Sequence, residues 1–206
     1  MIAIVDLGMG NVGSVTNMLR RLGADAVATN DPGQISSSEK LILAGIGAFD
    51  MAMGRLNDLG LVPLLNQRVL KDRIPVLGVC LGLQLMTKAS EEGQRPGLGW
   101  LDAQTCAFAF PNGSELPTPH MGWEVVKPTR ASPLIDSTEK EQRFYFSHRY
   151  HVQCHDTGDV AATATYGYEF PAAIHRGNIL GTQFHPEKSH IFGMEVYRRF
   201  LALSEI

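Results

Sequence analysis

Three side chains of this sequence have the chemistry of a cysteine-dependent catalytic site. Cys80 lies in Gly78–Gln84, a segment of the form G-x-C-x-G that directly follows an apolar run. His185 and Glu187 follow a second apolar run and are two residues apart. A thiol nucleophile requires a base that takes its proton and a group that orients the base. A thiol, an imidazole and a carboxylate in these positions therefore predict nucleophilic catalysis.

The residues around Cys80 predict how its side chain is presented. Glycines two residues to each side are typical of a sharp strand-to-helix turn, because only glycine lets the backbone crowd there without a Cβ clash. A helix N-terminus after Cys80 would favour its thiolate. On a strand, His185 and Glu187 would point to the same face, and Pro186 would stiffen the pair.

Each motif also has a purely structural interpretation. Cys80 could be a small buried residue in a glycine-rich turn, and His-Pro-Glu a surface turn. Taken singly, each motif leaves both interpretations open. Their joint occurrence, each directly after an apolar strand pattern, favours catalysis.

Acyl transfer also requires backbone N–H donors for an oxyanion. Leu81 follows the nucleophile and is the natural first donor. The glycines of Ala44–Phe49 can bring a second backbone N–H, from Ile46 or Gly47, close to a ligand. Taken alone, Ala44–Phe49 is better interpreted as an ordinary turn between a strand and a helix.

Composition narrows the class of protein. The 206 residues are 44% hydrophobic and 19% charged, which argues against disorder, and we expect one domain spanning residues 1–206. The net charge of −3 favours neither nucleic acid nor an anionic membrane as a partner. No apolar stretch approaches the roughly 18–20 residues of a membrane span. We expect a cytoplasmic protein without a signal peptide, whose three scattered cysteines form no disulfide framework.

The elements that must position these residues change character along the chain. In the first half, the predicted strands are Ile2–Asp6, Ala26–Thr29, Leu41–Leu43 and Pro75–Val79, and the predicted helices are Val12–Leu22, Met51–Leu59, Leu61–Leu70 and Leu81–Lys88. In the second half, the predicted strands are Leu101–Phe110, Trp123–Lys127, Phe144–Gln153, Val160–Thr165, Ala172–His175 and Ile179–Phe184, followed by a helix over Glu195–Leu203. Pro111–Pro119 is interpreted as a surface loop and His175–Asn178 as a hairpin loop. This order predicts a three-layer α/β architecture with a mostly parallel central sheet and an antiparallel extension.

At this point the motifs resemble a known family, the class I glutamine amidotransferases. The resemblance is carried by Gly45–Phe49, Gly78–Gln84 and His185–Glu187. Asp6–Asn11, Pro119–Trp123, Phe144–Phe146 with His148, and Gly181–Ser189 are similar to segments of the glutaminase subunits of imidazole glycerol phosphate synthase. Together these segments cover the chain nearly end to end. The resemblance implies a flavodoxin-like fold and a catalytic triad of Cys80, His185 and Glu187.

The same resemblance implies a reaction and its partners. L-glutamine would be hydrolysed through a cysteinyl thioester, and the ammonia would pass to a synthase or cyclase subunit, a barrel, in histidine biosynthesis. No cofactor and no metal are implied. The residues implied to hold glutamine are Gly47, Gln84, Glu92 and the backbone of Arg149 and Tyr150. The residues implied to face the partner subunit are His120, Met121, Trp123, Tyr145 and His148.

The chain departs from the family pattern at four positions. Ala44 stands where proline is usual, and Glu124 stands where asparagine is usual. Ser147 and Arg149 flank His148 where valine and serine are common. Glu124, Ser147 and Arg149 lie in segments implied to face the partner, so these departures leave the identity of the partner open.

Several alternative functions compete with this interpretation. One is a related glutaminase subunit that supplies ammonia to an amidotransferase acting on sugars of surface polysaccharides. Another is a partner-binding scaffold that has lost turnover. An α/β-hydrolase acting on esters would require a carboxylate before His185 rather than two residues after it.

Two further patterns are weaker. Gly8–Gly13 has the form G-x-G-x-x-G after a strand, with Asp31 near the end of the next strand, as in dinucleotide-binding sites. However, two residues separate the first glycine from the apolar strand. His148, His151, Cys154 and His155 suggest a metal site, but on one strand His148 and His151 would point to opposite faces, as would Cys154 and His155. We interpret these four residues as structural or surface residues.

Overall fold

The computed structural model describes residues 1–110, 116–135 and 141–203. The predicted loop Pro111–Pro119 therefore lies largely outside the described residues. The strands are β1 (Ile2–Val5), β2 (Ala26–Thr29), β3 (Lys40–Gly45), β4 (Val76–Cys80), β5 (Ala89–Ser90), β6 (Ala103–Ala107), β7 (His120–Pro128), β8 (Gln142–His148), β9 (Tyr150–Cys154), β10 (Val160–Tyr166), β11 (Tyr168–Arg176) and β12 (Ile179–Thr182). The helices are α1 (Val12–Arg21), α2 (Pro32–Ser37), α3 (Phe49–Asp58), α4 (Leu61–Asn66), α5 (Leu81–Leu85) and α6 (His190–Leu201).

The main sheet has nine strands in the order β2-β1-β3-β4-β12-β11-β10-β7-β8. The pairs from β2 to β12 are parallel, and those from β12 to β8 are antiparallel. A second sheet has the order β5-β6-β9. These pairings confirm the predicted parallel sheet with an antiparallel extension.

Helices cover both faces of the parallel strands. In β1, Ile2 and Ile4 join a core cluster with residues of α1 and α6, whereas Ala3 and Val5 join a second cluster with residues of α3, α4 and α5. Successive strand residues point to opposite faces, so strands buried on both sides are apolar throughout. The three-layer prediction is confirmed.

The largest difference from prediction concerns the stretch predicted as one strand, Phe144–Gln153. It forms two strands, β8 and β9, which belong to different sheets and meet at Arg149. β8 pairs with β7, while β9 pairs with β6. The strand propensity of a segment does not indicate which strand it pairs with, and both Phe144–His148 and Tyr150–Gln153 are rich in strand-forming residues.

Smaller differences concern the helices. The helix predicted over Leu81–Lys88 ends at Leu85, and the last helix begins at His190 rather than Glu195. Helix α2 was not predicted, although Asp31 accepts a hydrogen bond from the Gln34 N–H at 2.8 Å and Pro32 occupies the first turn. An aspartate before a proline is a helix N-terminal signal. In the described residues, no helix is long and apolar enough to cross a membrane.

Candidate active site

Cys80 ends β4 and directly precedes α5, as the sequence predicts. Its backbone has φ 51° and ψ −106°, a conformation that residues other than glycine rarely adopt. A Cβ on Gly82 would lie 1.8 Å from the Leu43 carbonyl oxygen, and one on Gly78 would lie 2.7 Å from Leu83 Cα. The glycines of G-x-C-x-G are therefore required by close backbone contacts on both sides of the turn.

His185 and Glu187 lie beyond the end of β12 and form a buried pair. His185 Nδ1 is 2.8 Å from Glu187 Oε1, and both side chains are almost fully buried. The geometry expected for a strand does not apply here, because Glu187 is part of a short 3-10 turn, Pro186–Lys188. The Glu187 side chain of this turn is buried rather than at the surface. The tight turn, entered through proline, brings the carboxylate back to the imidazole.

The charges around His185 favour its protonated form. Burial alone would lower its pKa, but the negative charge of Cys80 and the carboxylate of Glu187 outweigh burial and raise the pKa of His185 to about 10. With Nδ1 donating to Glu187, Nε2 is the nitrogen left to exchange a proton with Cys80. Nε2 is buried and has no hydrogen-bond partner of good geometry among the described residues.

A cavity of about 270 Å³ opens in front of Cys80. Its lining includes all of the predicted oxyanion and glutamine-binding residues, namely Ile46, Gly47, Leu81, Gln84, Glu92, Arg149 and Tyr150. It also includes Pro119, Ser147 and His148. A larger cleft, of about 480 Å³, lies beside α3 and contains no triad residue, so size alone would not identify the site.

The backbone around Gly47 borders the cavity. Ala44 pairs with Val79 across β3 and β4, so this stretch is held by the sheet although the usual proline is missing. Gly47 has φ 118°, and Ile46 is half exposed. The N–H groups at the start of α5, from Leu81 onward, have no intrahelical acceptor. The backbone at Gly47 and the start of α5 therefore both border the cavity, and their roles as oxyanion donors stay predictions.

The predicted glutamine-binding side chains differ in how firmly they are held. Gln84 is buried, and its Nε2 donates to the Tyr150 carbonyl at 2.9 Å. Glu92 Oε2 accepts the Phe49 N–H at 2.9 Å, at the start of α3. Arg149 is exposed at the cavity lining. The glutamine-binding roles of these residues stay predictions.

Three further polar residues contact the proposed triad. Asn11 Nδ2 donates to Glu187 Oε1 at 2.9 Å. Gln183 Nε2 lies 3.7 Å from the Cys80 sulfur. Ser189 donates to the His185 carbonyl at 2.7 Å. All three lie inside segments that carry the family resemblance, but nothing in the sequence indicated which of them contacts the triad.

The residues implied to face a partner subunit divide into two groups. Met121 is 62% exposed and Trp123 42%, and the Trp123 ring makes an edge contact with Tyr145. His120 and His148 are buried, at 1% and 5% exposure. The exposed surface here is therefore formed by the aromatic and methionine side chains, while the two histidines lie beneath it.

The G-x-G-x-x-G pattern at Gly8–Gly13 and the group of histidines and Cys154 at 148–155 both have structural explanations. Asp31 caps α2, and Gly10 is needed because a Cβ there would lie 2.8 Å from the Ile46 backbone nitrogen. His148 and His151 do not point apart, because the chain changes sheets between them, and both rings contact Phe108. Among the described residues, no group of three or more His, Cys, Asp or Glu could hold a metal ion.

Comparison with known proteins shows the family of this chain. The model of the family described as glutamine amidotransferase class-I matches residues 3–202. The chain belongs to this family. A class-I glutamine amidotransferase relative, imidazole glycerol phosphate synthase subunit HisH 2 of Methanococcus maripaludis, is 48% identical over 201 residues, covering 98% of each chain.

A second relative of the same name, from Pseudomonas aeruginosa, is 45% identical over 98% of this chain and 100% of its own. Among solved structures, one described as a glutamine amidotransferase has a TM-score of 0.76 at 20% identity, covering 97% of this chain and 96% of its own. The fold prediction of a class I glutamine amidotransferase is thereby confirmed.

Proposed function

We propose that this class-I glutamine amidotransferase hydrolyses L-glutamine to glutamate and ammonia through a thioester on Cys80. We further propose that it acts as a single glutaminase domain in the cytoplasm and passes ammonia to the synthase or cyclase subunit of imidazole glycerol phosphate synthase. The observation that carries the proposal is the strained Cys80 turn beside the buried His185–Glu187 pair, at a cavity lined by Ile46, Gly47 and Leu81.

The chemistry follows from these groups. The Cys80 thiolate attacks the side-chain amide carbon of glutamine, and backbone N–H groups of Leu81 and of Ile46 or Gly47 hold the oxyanion. Protonated His185 donates its Nε2 proton to the leaving amine, so ammonia departs and the thioester remains. His185, now neutral, takes a proton from water, which attacks the thioester and releases glutamate.

The names of the relatives support a synthase subunit as the partner. The exposed side chains of Met121 and Trp123 offer this subunit a surface. Aromatic and methionine side chains are enriched in protein–protein interfaces. Tyr145 lies beside Trp123, and Lys188 lies 5.6 Å from the centroid of the Tyr145 ring. We propose that these residues contact the synthase subunit.

One observation favours a second candidate partner. The relatives at 48% and 45% identity both carry the number 2 in their names. A second subunit can serve a second ammonia acceptor, such as an amidotransferase acting on sugars of surface polysaccharides. Glu124 and Arg149, at positions implied to lie near the partner, fit a partner whose surface differs from that of the usual one.

The test is ammonia release from L-glutamine, by the protein alone and with the subunit that co-purifies with it. We expect turnover with the partner and covalent modification of Cys80 by 6-diazo-5-oxo-L-norleucine, an electrophilic glutamine analogue. Absence of both turnover and modification in the presence of the partner would overturn the function. A co-purifying barrel subunit supports the first partner, and a sugar amidotransferase supports the second.

A further inference from the structure

Two buried histidines that the proposed triad does not use lie beside the catalytic cavity, paired across β7 and β8. His148 lines the cavity, and His120 lies behind it. The His120 ring stacks on Tyr166, with 3.9 Å between ring centroids, and on Phe146 at 5.3 Å. Aromatic packing of this kind holds the imidazole planes in fixed orientations.

The hydrogen-bond partners of His148 fix the position of its proton. His148 Nδ1 lies 2.8 Å from the Tyr150 carbonyl oxygen, which can only accept, so Nδ1 is the donor. Burial lowers the pKa of His148 to about 3, so the ring is neutral at pH 7 and its Nε2 is an acceptor.

The proton of His120 is then fixed as well. His120 Nδ1 is 3.1 Å from His148 Nε2 and must donate to it. Burial lowers the pKa of His120 to about 4, which leaves its Nε2 without a proton at pH 7. Both histidines therefore carry their proton on Nδ1, the tautomer that is less common for free imidazoles.

At the outer end, His120 Nε2 is buried and makes no hydrogen bond among the described residues. Glu124 Oε1 lies 3.5 Å from it, and burial raises the pKa of Glu124. Two acceptors without a proton between them would leave a buried polar atom unsatisfied. The other titratable groups facing this pair are Arg143 on β8, whose charge lowers the pKa of Glu124, and Tyr166 on β10.

At the inner end, the Tyr150 carbonyl accepts two hydrogen bonds. One comes from His148 at 2.8 Å and the other from Gln84 Nε2 at 2.9 Å. Gln84, His148 and Tyr150 all line the cavity. The orientation of the backbone at Tyr150 is thus set by two cavity side chains, Gln84 and His148. His148 in turn accepts a hydrogen bond from His120, which lies beside Glu124.

We propose that His148 and His120 are positioning residues for the glutamine substrate, and that Glu124 completes this histidine relay by sharing one proton with His120. The relay, defined as Glu124, His120, His148 and the Tyr150 carbonyl, holds the cavity backbone at Arg149 and Tyr150 in its binding orientation. It connects that backbone to Glu124 on β7, which is next to Trp123 in sequence but points to the opposite face of the strand. The role in glutamine binding rests on the proposed function, whereas the proton positions do not.

The proton positions are tested by ¹⁵N NMR of the imidazole rings in the full-length protein at pH 7. We expect His148 to show a protonated Nδ1 and a bare Nε2, and His120 to show a protonated Nδ1. In Glu124→Ala, the ¹⁵N shift of His120 Nε2 should change, while His155, exposed and paired with Asp102, serves as the reference. A protonated Nε2 on His148 would overturn the relay.

The binding role is tested by steady-state kinetics of the complex with the co-purified partner. His148→Leu should raise the KM for glutamine about tenfold with kcat within threefold, because backbone positioning is lost while the triad is intact. His148→Asn, whose amide can donate in place of Nδ1, should restore KM to within threefold. Glu124→Ala should raise KM about threefold, and Glu124→Gln, which keeps a donor toward His120, should restore it.

His155→Asn and Glu169→Ala, at exposed positions, are the matched controls and should leave both constants unchanged. Equal falls in kcat for His148→Leu and His148→Asn would indicate a structural role only and overturn the proposal. An unchanged KM in His148→Leu would also overturn the positioning proposal, but it would leave the proposed glutaminase function intact. If the unmodified complex neither binds nor hydrolyses glutamine, the proposed function fails, and the NMR result alone decides the relay.

Discussion

The two sides of the catalytic site are held by different physical means. On the nucleophile side, Cys80 is positioned by steric fit, since Gly82 lets the Leu43 carbonyl approach to a distance that no Cβ permits. On the base side, His185 is positioned by hydrogen bonds, from Nδ1 to Glu187 and from Ser189 to its carbonyl.

This difference separates the expected effects of mutations. Steric fit between backbones tolerates no added atom, so a substitution that adds an atom to the glycines beside the nucleophile acts on folding as well as on activity. A hydrogen bond between side chains can be removed or replaced singly, so a change on the base side acts mainly on rate and pH dependence. Each prediction below tests one part of this contrast.

The largest effect is expected from removing the sulfur itself. Cys80→Ala should lower kcat for glutamine hydrolysis on the order of 10⁶-fold, since the thioester can no longer form. The fold should be unchanged, because alanine keeps the Cβ that the turn already accommodates. Ammonia release and circular dichroism measure the two parts, and turnover at the wild-type rate would show that Cys80 is not the nucleophile.

The next effect tests the steric side of the contrast. Gly82→Ala should lower the free energy of unfolding by about 3 kcal/mol and abolish activity, because the added Cβ overlaps the Leu43 carbonyl. Gly13→Ala is the matched control, since nothing lies within 4 Å of a Cβ there and it is within α1. It should be neutral or stabilising by up to about 1 kcal/mol. Urea unfolding of both variants compares them, and equal stabilities would remove the steric argument.

On the base side, Glu187→Gln should lower kcat by about 10⁴-fold without unfolding the protein, by analogy with amide replacements in other triads. Loss of the carboxylate also lowers the pKa of His185, since Glu187 is one cause of its rise to about 10. The imidazolium is present below that pKa and lost above it, so the alkaline limb of the pH–kcat profile should move to lower pH. If the alkaline limb of Glu187→Gln stays at the wild-type pH, Glu187 is not a cause of the raised pKa of His185.

The smallest effect is expected for Asn11, which donates to the same carboxylate at 2.9 Å. Asn11→Ala should lower kcat about tenfold, in line with the loss of one hydrogen bond to a charged group. Asn57→Ala, which removes a hydrogen bond to the Met53 carbonyl within α3, is the control and should leave kcat unchanged. Equal kcat values for the two variants would show that the Asn11 contact does not position the triad.

Much of the fold was predictable because its signals are local. The alternation of strands and helices through Cys80 and the hairpin at Gly177 were both predicted, since periodicity and turn residues act over a few positions. The break at Arg149 was not predicted, because it depends on which distant strand each half pairs with. A turn at Pro186 was one of two open interpretations, and the burial of its Glu187 side chain was not predicted, because burial depends on the segments that pack around it.

The sequence by itself determined the reactive groups and the glycine turn that presents Cys80, because residue type and short spacing specify both. Only the tertiary structure decided that Asn11 contacts Glu187, and that His120 and His148 are buried and joined to each other. These contacts join residues 176 and 28 positions apart. They depend on strand order and sheet register, which the packing of the whole chain selects and no single segment encodes.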